Sequence, residues 1–136
     1  MADIAFSSEL AGVDWAALKQ ALVADDFDNL RSPEQYRRSH ENSHAVLFGR
    51  CDGQYVANGR ILSDGVCNAY LVDIWTATPF RGRGIGREVV TRLLATVPGQ
   101  HVGLFTDEAE AFYRTLGFTT QIGGMSKVVG RWLVAP

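Results

Sequence analysis

Arg81-Gly82-Arg83-Gly84-Ile85-Gly86 sets three glycines at alternate positions behind an arginine, and an amphipathic helical pattern follows at once. Glycine tolerates positive φ and carries no Cβ, so successive backbone N–H groups in such a run can converge on one point. The N-terminus of the following helix adds unpaired N–H donors and roughly half a positive charge. The side chains of Arg81, Arg83 and Arg87 bring full charges to the same place. Together they read as a cradle for a phosphate or pyrophosphate. The spacing is not a dinucleotide fingerprint: Gly-x-Gly-x-x-Gly counted from Gly82 ends on Arg87, and counted from Gly84 it ends on Val89. No Gly-Lys-Ser/Thr follows, which excludes a nucleoside-triphosphate loop. Taken alone, the string also suits a tight strand-to-helix turn that merely needs glycine.

The segments on either side define a β-α-β unit. Val66–Thr76 reads as the longest strand, apolar on both faces in its second half as a covered central strand requires, and it runs straight into the loop. After the loop, Ile85, Val89 and Leu93 recur at helical spacing with Val90 and Leu94 beside them. This helix, residues 84–96, leads to a short strand at His101–Phe105 by what should be a right-handed crossover. Asp107 and Glu110 read as the start of a last helix that Gly117 closes, with strands expected at Phe118–Gln121 and Met125–Leu133. Upstream lie a short strand at Ile4–Phe6 and a helix from the Asp14 cap to Ala24. A second helix starts at Ser32-Pro33-Glu34-Gln35 and runs to His40 or Glu41. Strands at Val46–Phe48 and Tyr55–Leu62 are joined by an Asp52-Gly53 turn. The fold class is therefore α/β of the α+β kind. It is expected to be one domain over residues 1–136, with a twisted, mostly antiparallel sheet, a central parallel β-α-β and helices on both faces.

Composition narrows the function classes. The 136 residues are 46% hydrophobic and carry a net charge of −2, so nothing global points to nucleic acid or an anionic membrane. No apolar run is long enough to cross a bilayer. Cys51 and Cys67 lack metal-ligand spacing, and with no signal peptide a reduced, cytoplasmic setting is expected without a metal. Charge is uneven: Arg81, Arg83, Arg87 and Arg92 form one cluster, and Asp25, Asp26 and Asp28 form another. The basic cluster suits an anionic ligand; the acidic one suits either an approaching amine or a solvated helix end. His40 and His44 are expected at the surface.

A second motif, Ala109-Glu110-Ala111-Phe112-Tyr113-Arg114-Thr115-Leu116-Gly117-Phe118, resembles the Ala-x-x-Phe/Leu-Tyr-x-x-Leu-Gly-Phe ending of the GNAT superfamily of acetyl-CoA-dependent N-acetyltransferases. The glycine run resembles that family's Arg/Gln-x-x-Gly-x-Gly/Ala pyrophosphate loop, and the two motifs stand in the family's order between Tyr70 and Phe118. The resemblance implies a GNAT-like sheet and direct transfer of acetyl from acetyl-CoA, the co-substrate, to a primary amine. It implies that backbone groups of Ile74, Trp75 and Thr76 hold the pantetheine arm. Residues Arg81, Gly82, Arg83, Gly84, Ile85, Gly86 and Arg87 would hold the pyrophosphate. By the same match Tyr113 would be the general acid that protonates the departing thiolate, which suits a phenol of pKa near ~10.

Other positions depart from the family or stay open. Thr106 stands where many relatives carry an asparagine near the thiol, and its hydroxyl is a candidate substitute. Asp73 is the lone charge in Leu71-Val72-Asp73-Ile74-Trp75, and burial would raise its pKa toward a general base's range. A carboxylate simply hydrogen-bonded to nearby backbone is the competing reading. Several relatives carry their base one position earlier, where this chain has Val72. The acceptor is a small-molecule or peptide amine that the residues before 45 do not identify. A catalytically silent acyl-CoA-binding domain is the rival function. A homodimer is compatible with so small a fold, although no stripe specifies one.

Overall fold

The structure, a computed structural model, describes residues 3–133. The chain forms two compact units, Met1–Phe105 and Thr106–Pro136. In the first, strand β1 (Ala5–Ser7) leads to helix α1 (Trp15–Ala24) and helix α2 (Pro33–Glu41). Both helices start where local chemistry demands. Asp14 Oδ1 accepts the Ala17 N–H at 3.0 Å. Ser32 and Gln35 exchange reciprocal side-chain bonds around Pro33, satisfying donors that a bare helix end would leave unpaired.

Strands β2 (Ala45–Cys51) and β3 (Gln54–Ser63) then form a hairpin. Its turn residues Asp52 and Gly53 both take positive φ, 50° and 79°, matching the twist of the flanking strands. Strand β4 (Asn68–Thr76) follows, then a 3₁₀ turn at Thr78–Phe80, helix α3 (Ile85–Leu94) and strand β5 (His101–Gly103). The sheet order is β1-β2-β3-β4-β5. All its pairs are antiparallel except β4 with β5, which run parallel through the α3 crossover.

Helices cover both faces of this sheet. On one, Val46, Phe48, Tyr55 and Trp75 pack with Leu18, Leu22 and Tyr36 of α1 and α2. On the other lie Val89 and Leu93 of α3, so close that a Cβ on Gly59 would stand 2.8 Å and 3.0 Å from their methyls. Glycine at 59 is what lets α3 approach β3. The second unit contains helix α4 (Glu110–Arg114). Gly117 at φ 92° closes α4, with the Phe118 N–H bonded to the Tyr113 carbonyl at 3.2 Å.

Three expectations need correction. No strand forms at 118–121 or 125–133 among the described residues, so the parallel pair sits at the sheet's edge rather than at its centre. Ile122 and Met125 are almost fully exposed, and Gly123 and Gly130 take positive φ, which interrupts an extended run. Asp107 does not cap α4; the Thr106 hydroxyl accepts the Ala109 N–H at 3.0 Å instead. His40 is not at the surface but fully buried, ringed by Trp15, Tyr36 and Phe48. His44 is exposed, as expected.

The burial of His40 has a consequence for acid stability. Desolvation disfavours the imidazolium and pushes its pKa from 6.5 down to about 4. The unfolded chain takes up this proton near 6.5 and the folded chain only near 4, so stability is full above 6.5 and falls as pH drops through that window. The loss by pH 4 should be ~3 kcal/mol. Denaturant unfolding across the window should show this slope in the wild type and a much flatter one in His40→Phe. An equal slope in both proteins would exclude His40 as its source.

Candidate active site

The β3–β4 register places Asn58 opposite Trp75 and Arg60 opposite Val72, so Asp73 and Ile74 together face the single residue Gly59. This is a β-bulge in which Asp73 sits at φ 58°, a region unusual for a residue with a side chain. Past the bulge, Ile74 meets the α3 face and Trp75 joins the α1 face. Pairing with β5 ends at Tyr70 opposite Gly103. From Leu71 to Thr76 the edge of β4 therefore has no strand neighbour on the β5 side among the described residues of the sheet. An extended ligand could bond there as an additional strand.

After the 3₁₀ turn at Thr78–Phe80 that edge is followed by the glycine loop. Gly82 and Gly84 take φ 79° and 81°, and Gly84 is the N-cap of α3. The first α3 bond runs from Glu88 N–H to the Gly84 carbonyl, so the amides of 85, 86 and 87 precede the helical ladder. A Cβ at 82 or 84 would meet nothing within 4 Å; here glycine is required by backbone conformation, and the space above it is open. Arg81, Arg83 and Arg87 are exposed around it. Open amides, a helix N-terminus and three guanidinium groups suit a pyrophosphate.

Asp73 is held by side chains rather than by backbone. Arg31 Nη2 donates to its Oδ1 at 2.7 Å, and Arg60 Nε donates to its Oδ2 at 2.6 Å. Burial works to raise its pKa, as the sequence suggests, but the two guanidinium groups outweigh burial and hold it below the ordinary carboxylate value. The rise expected from burial does not occur; the hydrogen-bonded alternative holds, with arginine side chains in place of backbone. Arg31 also donates to Ser39 Oγ and lies over the Tyr36 ring at 4.4 Å. Arg31, Tyr36 and Asp73 form the inner side of a pocket of about 280 Å³ whose exposed side carries Asp26, Phe27 and Asp28.

The acidic cluster is mostly committed. Asp28 pairs with Lys19, and Asp25 bonds Trp75 and Thr78. Arg31 and Arg60 are residues of the Asp73 cluster that sequence reasoning missed, and Asp25 bonds Trp75 and Thr78, neither of the roles its sequence suggests. Their partners are distant in the chain, and only Asp73's isolation in an apolar strand hinted that cations must meet it.

Two assigned residues belong to the second unit. Tyr113 is buried, with Phe112 and Phe118 packed edge-on at 5.0 and 5.7 Å, and burial raises its phenol pKa. Thr106 accepts the Ala109 N–H, which leaves its own O–H free to donate.

Comparison with known proteins is consistent with this geometry. The family model described as Acetyltransferase (GNAT) family matches residues 14–118. Serotonin N-acetyltransferase 2, chloroplastic, from Oryza sativa subsp. japonica is 35% identical over 115 residues, covering 79% of this chain and 57% of the rice protein. The chain thus spans about half the length of the curated relatives it matches. A GNAT-family protein from Xanthomonas campestris pv. campestris superposes with TM-score 0.80 at 26% identity, covering 95% of each chain. A GNAT-family acetyltransferase from Brucella melitensis, solved in complex with acetyl-CoA, gives TM-score 0.65 at 20% identity, covering 88% of this chain and 85% of that one.

The Arg31–Asp73–Arg60 cluster makes a stability prediction. Asparagine tolerates left-handed φ, so Asp73→Asn leaves the bulge without added strain. It also leaves two buried guanidinium groups without their shared anion, which should cost about 3 kcal/mol or more. Chemical denaturation reads this directly. A loss below about 1 kcal/mol would mean that solvent, not Asp73, compensates the arginines.

Proposed function

The chain belongs to the GNAT acetyltransferase family, and on that premise we propose that it transfers the acetyl group of acetyl-CoA directly to a primary amine. The observation that carries this reading is the open edge of β4, followed after the 3₁₀ turn by the amides at the α3 N-terminus. In this reading the backbone of Ile74, Trp75 and Thr76 takes the pantetheine arm as an added strand. The amides of residues 82–87 take the pyrophosphate, with Arg81, Arg83 and Arg87 around it. Both units act as one N-acetyltransferase domain, since the family match crosses the boundary between them.

The amine nitrogen attacks the thioester carbonyl carbon, the C–S bond breaks, and the phenol of Tyr113 gives its proton to the leaving sulfur. Burial keeps that phenol protonated at neutral pH. The Thr106 O–H is free to donate to the thiol or pantetheine. Asp73 orients rather than deprotonates: a carboxylate shared by two arginines is a poor proton acceptor at neutral pH. The nitrogen then loses its proton to water, and water returns one to the Tyr113 phenolate. The pocket of about 280 Å³ beside Asp26 and Phe27 suits one small amine or one side chain. The rice relative's name makes serotonin the first amine to try. Cys51 and Cys67 are both free thiols, in keeping with a reducing, cytoplasm-like compartment.

Acetyl-CoA mixed with serotonin and a panel of other primary amines, scored by free thiol, tests the reaction. Tyr113→Phe removes one oxygen and keeps the ring. In single-turnover conditions its chemical step should slow by ~10²-fold. The loss should fall on kcat and kcat/KM together. An unchanged single-turnover rate would remove Tyr113 from the chemistry.

A further inference from the structure

The carboxylate of Asp25 is engaged outside its own loop. Asp25 ends α1, yet its Oδ2 accepts the Trp75 Nε1–H at 2.9 Å and the Thr78 N–H at 3.1 Å. Arg81 Nη2 lies 3.8 Å from the same oxygen, and Arg81 Nε donates to the Thr76 carbonyl at 3.1 Å. One carboxylate therefore touches residues 75, 78 and 81, the whole path from the end of β4 into the glycine loop. Trp75 is buried, so its indole N–H needs an acceptor, and Asp25 supplies it. In the other direction the backbone of Asp25 continues into Asp26, Phe27 and Asp28, which line the pocket.

We propose that Asp25 is a positioning residue that couples the cofactor cradle to the acceptor pocket through its ion pair with Arg81. The inference rests on the acetyl-CoA reading above. The Arg81 side chain is 58% exposed and its contact with Asp25 is long, so in the free protein the pair is loosely held. A guanidinium presents five N–H donors in a rigid fork and can serve two anions at once. A pyrophosphate that fixes Arg81 has already met the ordering cost of that side chain, and the bond to Asp25 then forms without it. The loop carrying Asp26 to Asp28, which starts at this carboxylate, is held more firmly as a result. Linkage makes the effect reciprocal: an amine that orders this loop tightens the cofactor site by the same factor.

Amide hydrogen exchange on the full chain, with and without saturating acetyl-CoA, tests this without knowledge of the acceptor. In the wild type acetyl-CoA should slow exchange at residues 82–88, and should also slow the Phe27 and Leu30 amides by about fivefold or more. Those two amides are bonded to the Leu22 carbonyl and to Asp28 Oδ1. Asp25→Asn keeps an oxygen for the Trp75 and Thr78 bonds but loses the charge that attracts Arg81. A merely structural role would leave it like the wild type. Coupling requires that protection at 82–88 survive while the loop protection disappears. Arg81→Gln at saturating acetyl-CoA breaks the pair from its other side and should give the same loss, which keeps the test decisive if Asp25→Asn does not fold. Loop protection retained in either folded variant, or missing in the wild type while 82–88 is protected, overturns the coupling. Absence of protection at 82–88 in the wild type overturns the acetyl-CoA reading itself.

Discussion

Asp73 and Ile74 stand opposite Gly59 alone, and the architecture of the site follows from that two-against-one pairing. A side chain at 59 would collide with Ile74 as well as with α3, at 2.7 Å from the Ile74 Cδ1. The extra residue in β4 is accommodated by placing Asp73 at positive φ, a conformation that costs of order 1–3 kcal/mol unless its surroundings hold it. Arg31 and Arg60 provide that hold, one from the loop before α2 and one from β3. The bulge therefore ties the α1–α2 loop to the sheet at the point where β4 turns toward the glycine loop.

The electrostatics of the first unit divide along this line. Beyond the bulge, helix-terminal amides and three exposed arginines make a region built for an anion. Before it, Asp73 lies between Arg31 and Arg60, Asp28 is paired with Lys19, and Asp26 stands on the exposed side of the adjoining pocket. The proposed transfer, from an anionic acyl carrier to an amine, uses these two regions separately. In the proposed reaction the carrier's phosphates go to the arginine side, and the amine goes to the pocket beside Asp26. Asp25 lies between the two regions: its carboxylate meets Arg81, and its backbone continues into the loop that lines the pocket.

What was legible in the sequence was what is decided locally. Ser32-Pro33-Glu34-Gln35 started a helix where it should because its bonds close within four residues. Asp52-Gly53 made its turn for the same reason, and the glycine loop kept its positive φ values at Gly82 and Gly84. Longer-range features were not legible. Nothing near Asp73 announces Arg31, 42 residues earlier, so sequence offers only burial or backbone hydrogen bonds for this carboxylate and not the two arginines that hold its pKa down. His40 sits in a mostly polar helix, and only the packing of Trp15 and Phe48 around it makes its site a core position. The alternation in residues 125–133 suits a strand, but a strand needs a partner, which sequence pattern cannot supply.

The claim on which the rest depends is that the loop amides between Gly82 and Arg87 hold the pyrophosphate of acetyl-CoA. Calorimetric titration of acetyl-CoA into wild type and into Gly84→Val measures it most directly. Valine at φ 81° strains the turn and puts two methyls where the phosphate approaches, although nothing in the protein itself occupies that space. The expected result is tight binding to the wild type and a loss of at least about tenfold, ~1.4 kcal/mol, in a variant that remains folded. Equal affinity in the two folded proteins would contradict the claim and leave the loop as a turn.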